Sequence, residues 1–201
     1  MSEGLPREVR PSVEKTDEML QLVREFLGEL SRRKKTQFNR RVSIGDLLTE
    51  RGDNAAMYGF GEGTTMYDNV LVLGDVKVGR NTWIGPDCIL DGSGGGLQIG
   101  DYCSISAGVH IYSHDTVHWS LSGGKLPVRK NPVTIGERVY IGPHSIVVSG
   151  VTVGRKSVIG ANSFVNRDVP EGTFVAGSPA VVVGRVEGEN ENVKINSEFR
   201  R

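Results

Sequence analysis

From Val72 onward, a branched aliphatic residue returns at every sixth position. The series is Val72, Val78, Ile84 and Leu90, then, after three extra residues, Ile99, Ile105 and Ile111. After a longer break it resumes as Ile135, Ile141, Val147, Val153, Ile159 and Val165. All thirteen are Val, Ile or Leu, and at seven of them the next residue is glycine. Four residues after the aliphatic, the side chain is usually small or β-branched, as at Val76, Thr82, Cys88, Cys103, Ser145, Ser157 and Ser163. A period of six matches neither the α-helix nor the simple alternation of a half-buried strand. It predicts a solenoid of short flat strands joined by turns, one strand per six residues, with the large aliphatic pointing into a narrow interior and the small residue at the corner. The period alone does not set the hand of the coil.

Ahead of the repeat the pattern is helical. Met19, Leu20, Val23, Phe26, Leu27 and Leu30 form one apolar stripe, which predicts a helix over residues 12–36. It ends in Arg32, Arg33, Lys34 and Lys35, the charge that suits a helix C-terminus. This basic run is read as a solvated helix end, with attraction to a membrane surface or a phosphorylated acceptor as the lesser reading. A second short helix is expected from Ser43, with Asp46 in the capping-box position. Arg51-Gly52-Asp53 reads as a turn. The expected organisation is a helical cap over residues 1–58, a solenoid over 59–186 with a loop at 115–132, and a loose polar tail at 187–201. The cap would cover the open end of the stack, where strand edges are otherwise unpaired.

The totals narrow the function. Lys plus Arg equals Asp plus Glu at 24 each, and this balance argues against a nucleic-acid partner. No apolar run reaches the roughly 18 residues of a membrane span, and the charged N-terminus lacks a signal core, so a cytoplasmic protein is expected. Two cysteines, Cys88 and Cys103, make no disulfide framework and read as reduced core residues.

The segments VGRNTW (78–83), IGERVY (135–140), VGRKSV (153–158) and IGANSF (159–164) carry the pattern [LIV]-G-x-x-[STAV]-x. In this the chain resembles the hexapeptide-repeat acyltransferase superfamily. The resemblance implies a mainly β fold, a left-handed parallel β-helix with three hexapeptides per triangular coil. Residues 132–180, ending in Gly177-Ser178-Pro179-Ala180, resemble the C-terminal half of bacterial O-acetyltransferases acting on sugars and surface polysaccharides. The resemblance implies acetyl-CoA as donor, no metal, a sugar acceptor, and a homotrimer with its sites between subunits, where Tyr140, Ile146 and Val148 would supply apolar contacts. It assigns the donor site to Gly142, Ser149, Gly150, Ala161, Asn166, Arg167, Gly177, Pro179 and Ala180, with Arg167 toward a CoA phosphate and Lys156 a weaker choice.

The break in the repeat holds two of the four histidines, His114 and His118. His114 lies three residues after the inward Ile111, an outward position where a loop departs, and loops on rigid scaffolds carry function. The resemblance places the catalytic histidine in this stretch. Acetyl transfer to a hydroxyl needs a proton acceptor that works near neutral pH, and histidine suits the task. His114 is therefore expected to be the general base, with His118 its rival. Asp115, a backbone carbonyl, Asp87 or Asp91 is each able to orient it. His118 and Trp119 on the loop, and Asp87 and Asp91 in a neighbouring coil, are the candidates for acceptor binding. His110 is expected to be structural or to line the cleft; His144, in the same phase as His114, is expected to face outward in a surface role, with an approach to the donor or the subunit interface as the lesser reading.

Two departures qualify the resemblance. Where the family supplies a backbone amide to the oxyanion, this chain has Pro143, which lacks an N–H, so Gly142 or another amide must serve. After Pro179-Ala180 comes Val181 in place of a cation, with Arg185 the next. Other classes fit less well. A zinc γ-carbonic anhydrase needs a histidine spacing other than that of His110, His114 and His118, and a structural or ice-binding solenoid needs threonine ladders. N-acetylation of an amino sugar remains the main competitor.

Overall fold

The structure is a computed structural model describing residues 13–197. The chain divides between Leu48 and Thr49 into two compact units. In the first, helix α1 spans Val13–Phe38 and α2 spans Ile44–Leu48. Ser43 caps α2 as its sequence position predicts: its hydroxyl oxygen accepts from the Asp46 amide at 3.4 Å, and the hydroxyl donates to the Asp46 carboxylate at 3.1 Å.

The second unit opens with α3, Arg51–Met57. The Arg-Gly-Asp triplet expected as a turn is instead its first turn. Tertiary contact overrides local propensity here: Ala55 is buried, and the buried Asn54 amide donates to the Met66 carbonyl at 3.2 Å. The unit therefore begins at residue 49, where the sequence pattern suggested 59. No helix among the described residues is long and apolar enough to cross a membrane.

The repeat folds as expected, into a left-handed parallel β-helix of triangular section. Its first face stacks Thr65–Met66, Trp83–Ile84, Ser104–Ile105, Tyr140–Ile141, Val158–Ile159 and Thr173–Ala176, all parallel and in register. The second stacks residues 71–73, 89–91, 110–112, 146–147 and 164–165. The third stacks residues 76–78, 97–99, 133–135 and 152–153. Inward aliphatics from the three faces, such as Ile84, Leu90 and Ile135, are at most 1% exposed and form one continuous core. Each such side chain contributes about 1.5–3 kcal/mol by leaving water. Val72, in the outermost coil, is only partly buried.

The small corner residues have a second role. Thr64 Oγ1 donates to the Gly79 carbonyl (2.7 Å), Thr82 Oγ1 to Gly100 (3.0 Å), Ser145 Oγ to Gly160 (2.8 Å) and Ser157 Oγ to Pro170 (2.9 Å). The thiols follow the same rule, with Cys88 Sγ 3.0 Å from the Ser106 carbonyl and Cys103 Sγ 3.1 Å from that of Gly136. A bend between strands frees carbonyls from the ladder, and a buried carbonyl needs a donor. Both cysteines are free, and burial pushes the Cys88 thiol up to about 11.

The tail is more ordered than its composition suggests. Strand Val181–Glu187 pairs antiparallel with Thr173–Ala176, and Lys194–Ser197 pairs antiparallel with it in turn. Backbone hydrogen bonds hold this hairpin, so side-chain polarity gave no sign of it. Residues 198–201 of the expected tail lie outside the described residues.

Candidate active site

The repeat is interrupted twice, in successive coils on the edge between the second and third faces. The first interruption is the extra stretch around Ser93-Gly94-Gly95-Gly96, where strand Ile89–Ile99 runs round the corner without a break. The second is the excursion after Ser113, whose base is a small antiparallel ladder pairing His114 with Lys130 and Asp115 with Arg129. The Asn131 amide donates to the Ser113 carbonyl at 2.9 Å and closes the loop. Between these ends, helix α4, Val117–Leu121, carries His118 and an exposed Trp119.

The two interruptions meet at His114. Its Nδ1 lies 2.6 Å from Asp91 Oδ2 and 3.2 Å from Ser93 Oγ. The other Asp91 oxygen accepts from the Ser93 hydroxyl at 2.6 Å and from the Ser93 amide at 2.9 Å. Asp91 is fully buried, whereas the His114 side chain is 33% exposed. Burial opposes ionisation of Asp91, but the Ser93 and His114 hydrogen bonds together outweigh it and hold the carboxyl below the usual carboxylate range. An ionised Asp91 accepts from Nδ1–H, which leaves Nε2 as the ring nitrogen free to take a proton.

The glycine run makes this contact possible. A Cβ on Gly94 would run into the Ser113 carbonyl and lie 2.9 Å from His114 Cβ. The Gly94 amide also donates to the buried Ser113 Oγ at 2.7 Å, tying the first interruption to the second. Sequence reasoning missed Ser93 and Gly94. The available signal was the three-residue lengthening of the repeat one coil before the histidine.

The remaining candidates fall on two different edges of the prism. Ser149, Gly150, Asn166 and Arg167 lie along the edge that carries His114. The Gly150 amide donates to the Asn131 carbonyl at 3.3 Å, at the foot of the loop. Asn166 and Arg167 are exposed, and Arg167 has no acidic partner among the described residues. The edge between the first and second faces carries Asp87, Gly142, Ala161, Gly177, Pro179 and Ala180. A prism face of about five extended residues separates the two edges by roughly 16 Å.

Several expectations need correction. Asp91, named both as a possible orienter and among the acceptor-binding residues, is buried and holds His114. Asp87 is not beside it: it accepts from Asn69 Nδ2 at 2.6 Å on the other edge. Asp115 does not orient the imidazole, because its carboxylate accepts from the Val117 amide at 3.0 Å. Gly142 cannot replace the amide missing at Pro143, since its own N–H already donates to the Ile159 carbonyl at 2.8 Å. What it provides is close approach: a Cβ there would sit 2.5 Å from the Ala161 nitrogen. His110 faces Tyr112, with its Nδ1 3.3 Å from the phenol oxygen, and His144 lies exposed under Gly108. Among the described residues, no group of three His, Cys, Asp or Glu side chains is arranged to hold a metal ion.

Known proteins share the repeat and the fold. The family described as "Bacterial transferase hexapeptide (six repeats)" matches residues 132–167, and "Hexapeptide repeat of succinyl-transferase" matches residues 75–113. The galactoside O-acetyltransferase of Escherichia coli (strain K12) is 30% identical over 135 residues, covering 57% of this chain and 66% of its own length. The chain thus spans just under two thirds of that relative. The crystal structure of a maltose O-acetyltransferase from Clostridium difficile 630 is 27% identical with a TM-score of 0.58, covering 86% of this chain and 91% of that one. AntD, an N-acyltransferase from Bacillus cereus solved with dTDP and 3-hydroxybutyryl-CoA, is 25% identical with a TM-score of 0.57, covering 62% of this chain and 70% of its own. The matched repeats lie on either side of the excursion that holds His114, and fold, motif and relatives agree in a likeness to the hexapeptide-repeat acyltransferases.

Proposed function

We propose that this protein transfers an acetyl group from acetyl-CoA to a hydroxyl of a sugar, with His114 as general base and a surface-polysaccharide precursor as the acceptor class. The observation that carries this reading is the His114–Asp91 contact at the mouth of the loop. Asp91 fixes the tautomer, so Nε2 takes the proton of the acceptor hydroxyl as its oxygen attacks the thioester carbonyl. The resulting imidazolium is stabilised by the buried carboxylate, and it returns the proton to the departing CoA sulfur. Arg167, exposed and without an acidic partner among the described residues, is placed to meet a phosphate of the donor.

The two edges support a shared-site assembly. A chain cannot by itself bring Gly142, Ala161 and Gly177 to His114 across roughly 16 Å of prism face. A second copy presenting that edge completes the site, which supports the homotrimeric reading and would bring Asp87 to the acceptor from the neighbouring subunit. His118 and Trp119 wall the same cleft from the loop. Transfer to an amino sugar is the second reading, favoured by the likeness to AntD. In that case Nε2 takes a proton from the sugar ammonium before the free amine attacks, or from the amine nitrogen as the C–N bond forms.

The test is mass-spectrometric detection of acetylated products from acetyl-CoA and a panel of free, nucleotide-linked and lipid-linked sugars and amino sugars. An O-acetylated sugar is expected. Turnover of amino sugars alone would shift the assignment to N-acetylation, and no turnover of any sugar would contradict it.

A further inference from the structure

The N-terminal unit has a feature that the transferase reading does not use. Between residues 30 and 48 the sequence holds six cations, Arg32, Arg33, Lys34, Lys35, Arg40 and Arg41, and one acid, Asp46, which is buried. Around them lies a cavity of about 460 Å³ whose lining includes Arg32, Lys35, Arg40, Arg41 and Asn39. Arg32 and Arg33 share Glu29, at 2.9 and 3.0 Å. Lys35, Arg40 and Arg41 have no acidic partner among the described residues. In the same stretch of chain three large apolar side chains face solvent: Phe38, Ile44 and Leu48 are 47%, 59% and 58% exposed. Lys34 and Arg40 both lie over the Phe38 ring, at 5.7 and 5.9 Å.

A solvated helix end explains part of this. Cations in the last turn of α1 complement its dipole. That account covers residues 32–35 only. Arg40 and Arg41 lie beyond the helix end at Phe38, and the dipole gives no reason for a concavity or for three exposed apolar side chains in the same segment.

We propose that this face is a docking site for an anionic phospholipid surface, with a headgroup phosphate in the cavity and Phe38, Ile44 and Leu48 in the interfacial layer. The combination is what such a surface requires: clustered positive charge for the headgroups and apolar side chains beside it for the acyl boundary. The alternatives fit less well. Two-fold pairing with a second copy through this face would set six cations against six cations. A nucleic-acid backbone would satisfy the cations but leave the aliphatic side chains in water. Docking here would hold the enzyme at a surface where a lipid-linked acceptor is presented, and the binding itself does not depend on the proposed reaction.

The experiment is vesicle flotation with the 201-residue chain, comparing phosphatidylcholine alone with phosphatidylcholine containing roughly a third phosphatidylglycerol. Binding only to the anionic vesicles is expected, weakening as salt is raised from about 0.05 M to about 0.5 M. Each cation near such a surface contributes about fivefold, so Arg40→Gln with Arg41→Gln should weaken binding about 25-fold. Ile44→Ser with Leu48→Ser should also weaken it, at both salt concentrations, with circular dichroism confirming that each variant is folded. Equal binding to neutral vesicles, or none to anionic ones, would overturn the proposal. Full binding by the Ile44/Leu48 variant would leave only a polyanion site, and release by about 10 mM inorganic phosphate at constant ionic strength would assign the cavity to a soluble phosphate; either result also overturns it. So would light scattering that shows copies associating through this face, with the association lost in the Arg40/Arg41 variant.

Discussion

Replacing Asp91 by Asn tests the site at its least exposed point. The substitution keeps the shape of the side chain and removes the charge opposite His114 Nδ1, now 2.6 Å away. Opposite charges about 4 Å apart interact by about 4 kcal/mol at an effective dielectric near 20. Solvent reaches a third of the imidazole, so about 2–4 kcal/mol is the working range, or roughly 30- to 1000-fold in kcat. The tautomer changes as well, because an Asn amide turned to donate would favour hydrogen on Nε2 and block proton uptake there. The assay is steady-state release of CoA thiol, for Asp91→Asn, His114→Ala and the double variant. The double variant should be no slower than His114→Ala alone, because the carboxylate acts through the imidazole. A single variant within threefold of wild type, or a double variant in which the losses multiply, would refute the reasoning. Stability supplies a check with a definite sign. The Asp91 pKa is lowered from 3.8 in the folded protein, so its stabilisation is fully present above that value and is lost as pH falls through and below it. The melting-temperature advantage of wild type over Asp91→Asn should therefore shrink between about pH 6 and about pH 3.

Three further outcomes follow from the same geometry. Gly94→Ala forces a methyl group into the Ser113 carbonyl and against His114 Cβ; transfer should fall at least about tenfold and the melting temperature by several degrees, as strain in a close-packed site predicts, and an unchanged rate would show that the glycine run does not position the histidine. Arg167→Gln should raise KM for acetyl-CoA about five- to tenfold, leaving KM for the acceptor unchanged, if the guanidinium meets a donor phosphate; titration calorimetry with CoA gives an independent reading. Cys88 and Cys103 are buried and donate to carbonyls of the next coil, so Ellman's reagent should find no reactive thiol in the native protein at about pH 8 and both after unfolding.

The solenoid was legible because one side chain in six does the same work in every coil. An inward aliphatic at Ile84, Ile105, Ile141 or Ile159 needs no knowledge of its partners to be recognised. The position of His114 was legible for a related reason, since an outward residue where a loop leaves a rigid repeat has few structural duties. Its support was not. Asp91 lies twenty-three positions earlier in sequence, and only the stacking of coils brings it beneath the imidazole, so it could not be told from Asp87, which the same stacking sends to another edge. The division between two edges of the residues expected at a donor site is likewise a property of the closed coil. Elements held by backbone pairing or burial escaped notice: strand Lys194–Ser197, the outer half of the hairpin with Val181–Glu187, reads as polar tail, and α3 reads as a turn until Asn54 and Ala55 are seen to be buried.

The central claim is that His114 takes the proton from a sugar hydroxyl during acetyl transfer. Its most direct test is the single-turnover rate of acetyl transfer to an accepted sugar by His114→Ala, with acetyl-CoA affinity measured on the same preparation. The account predicts a loss of at least about 100-fold in rate, the usual share of a general base, with affinity for acetyl-CoA within a few-fold of wild type. A variant that binds the donor normally and transfers at near the wild-type rate would contradict it.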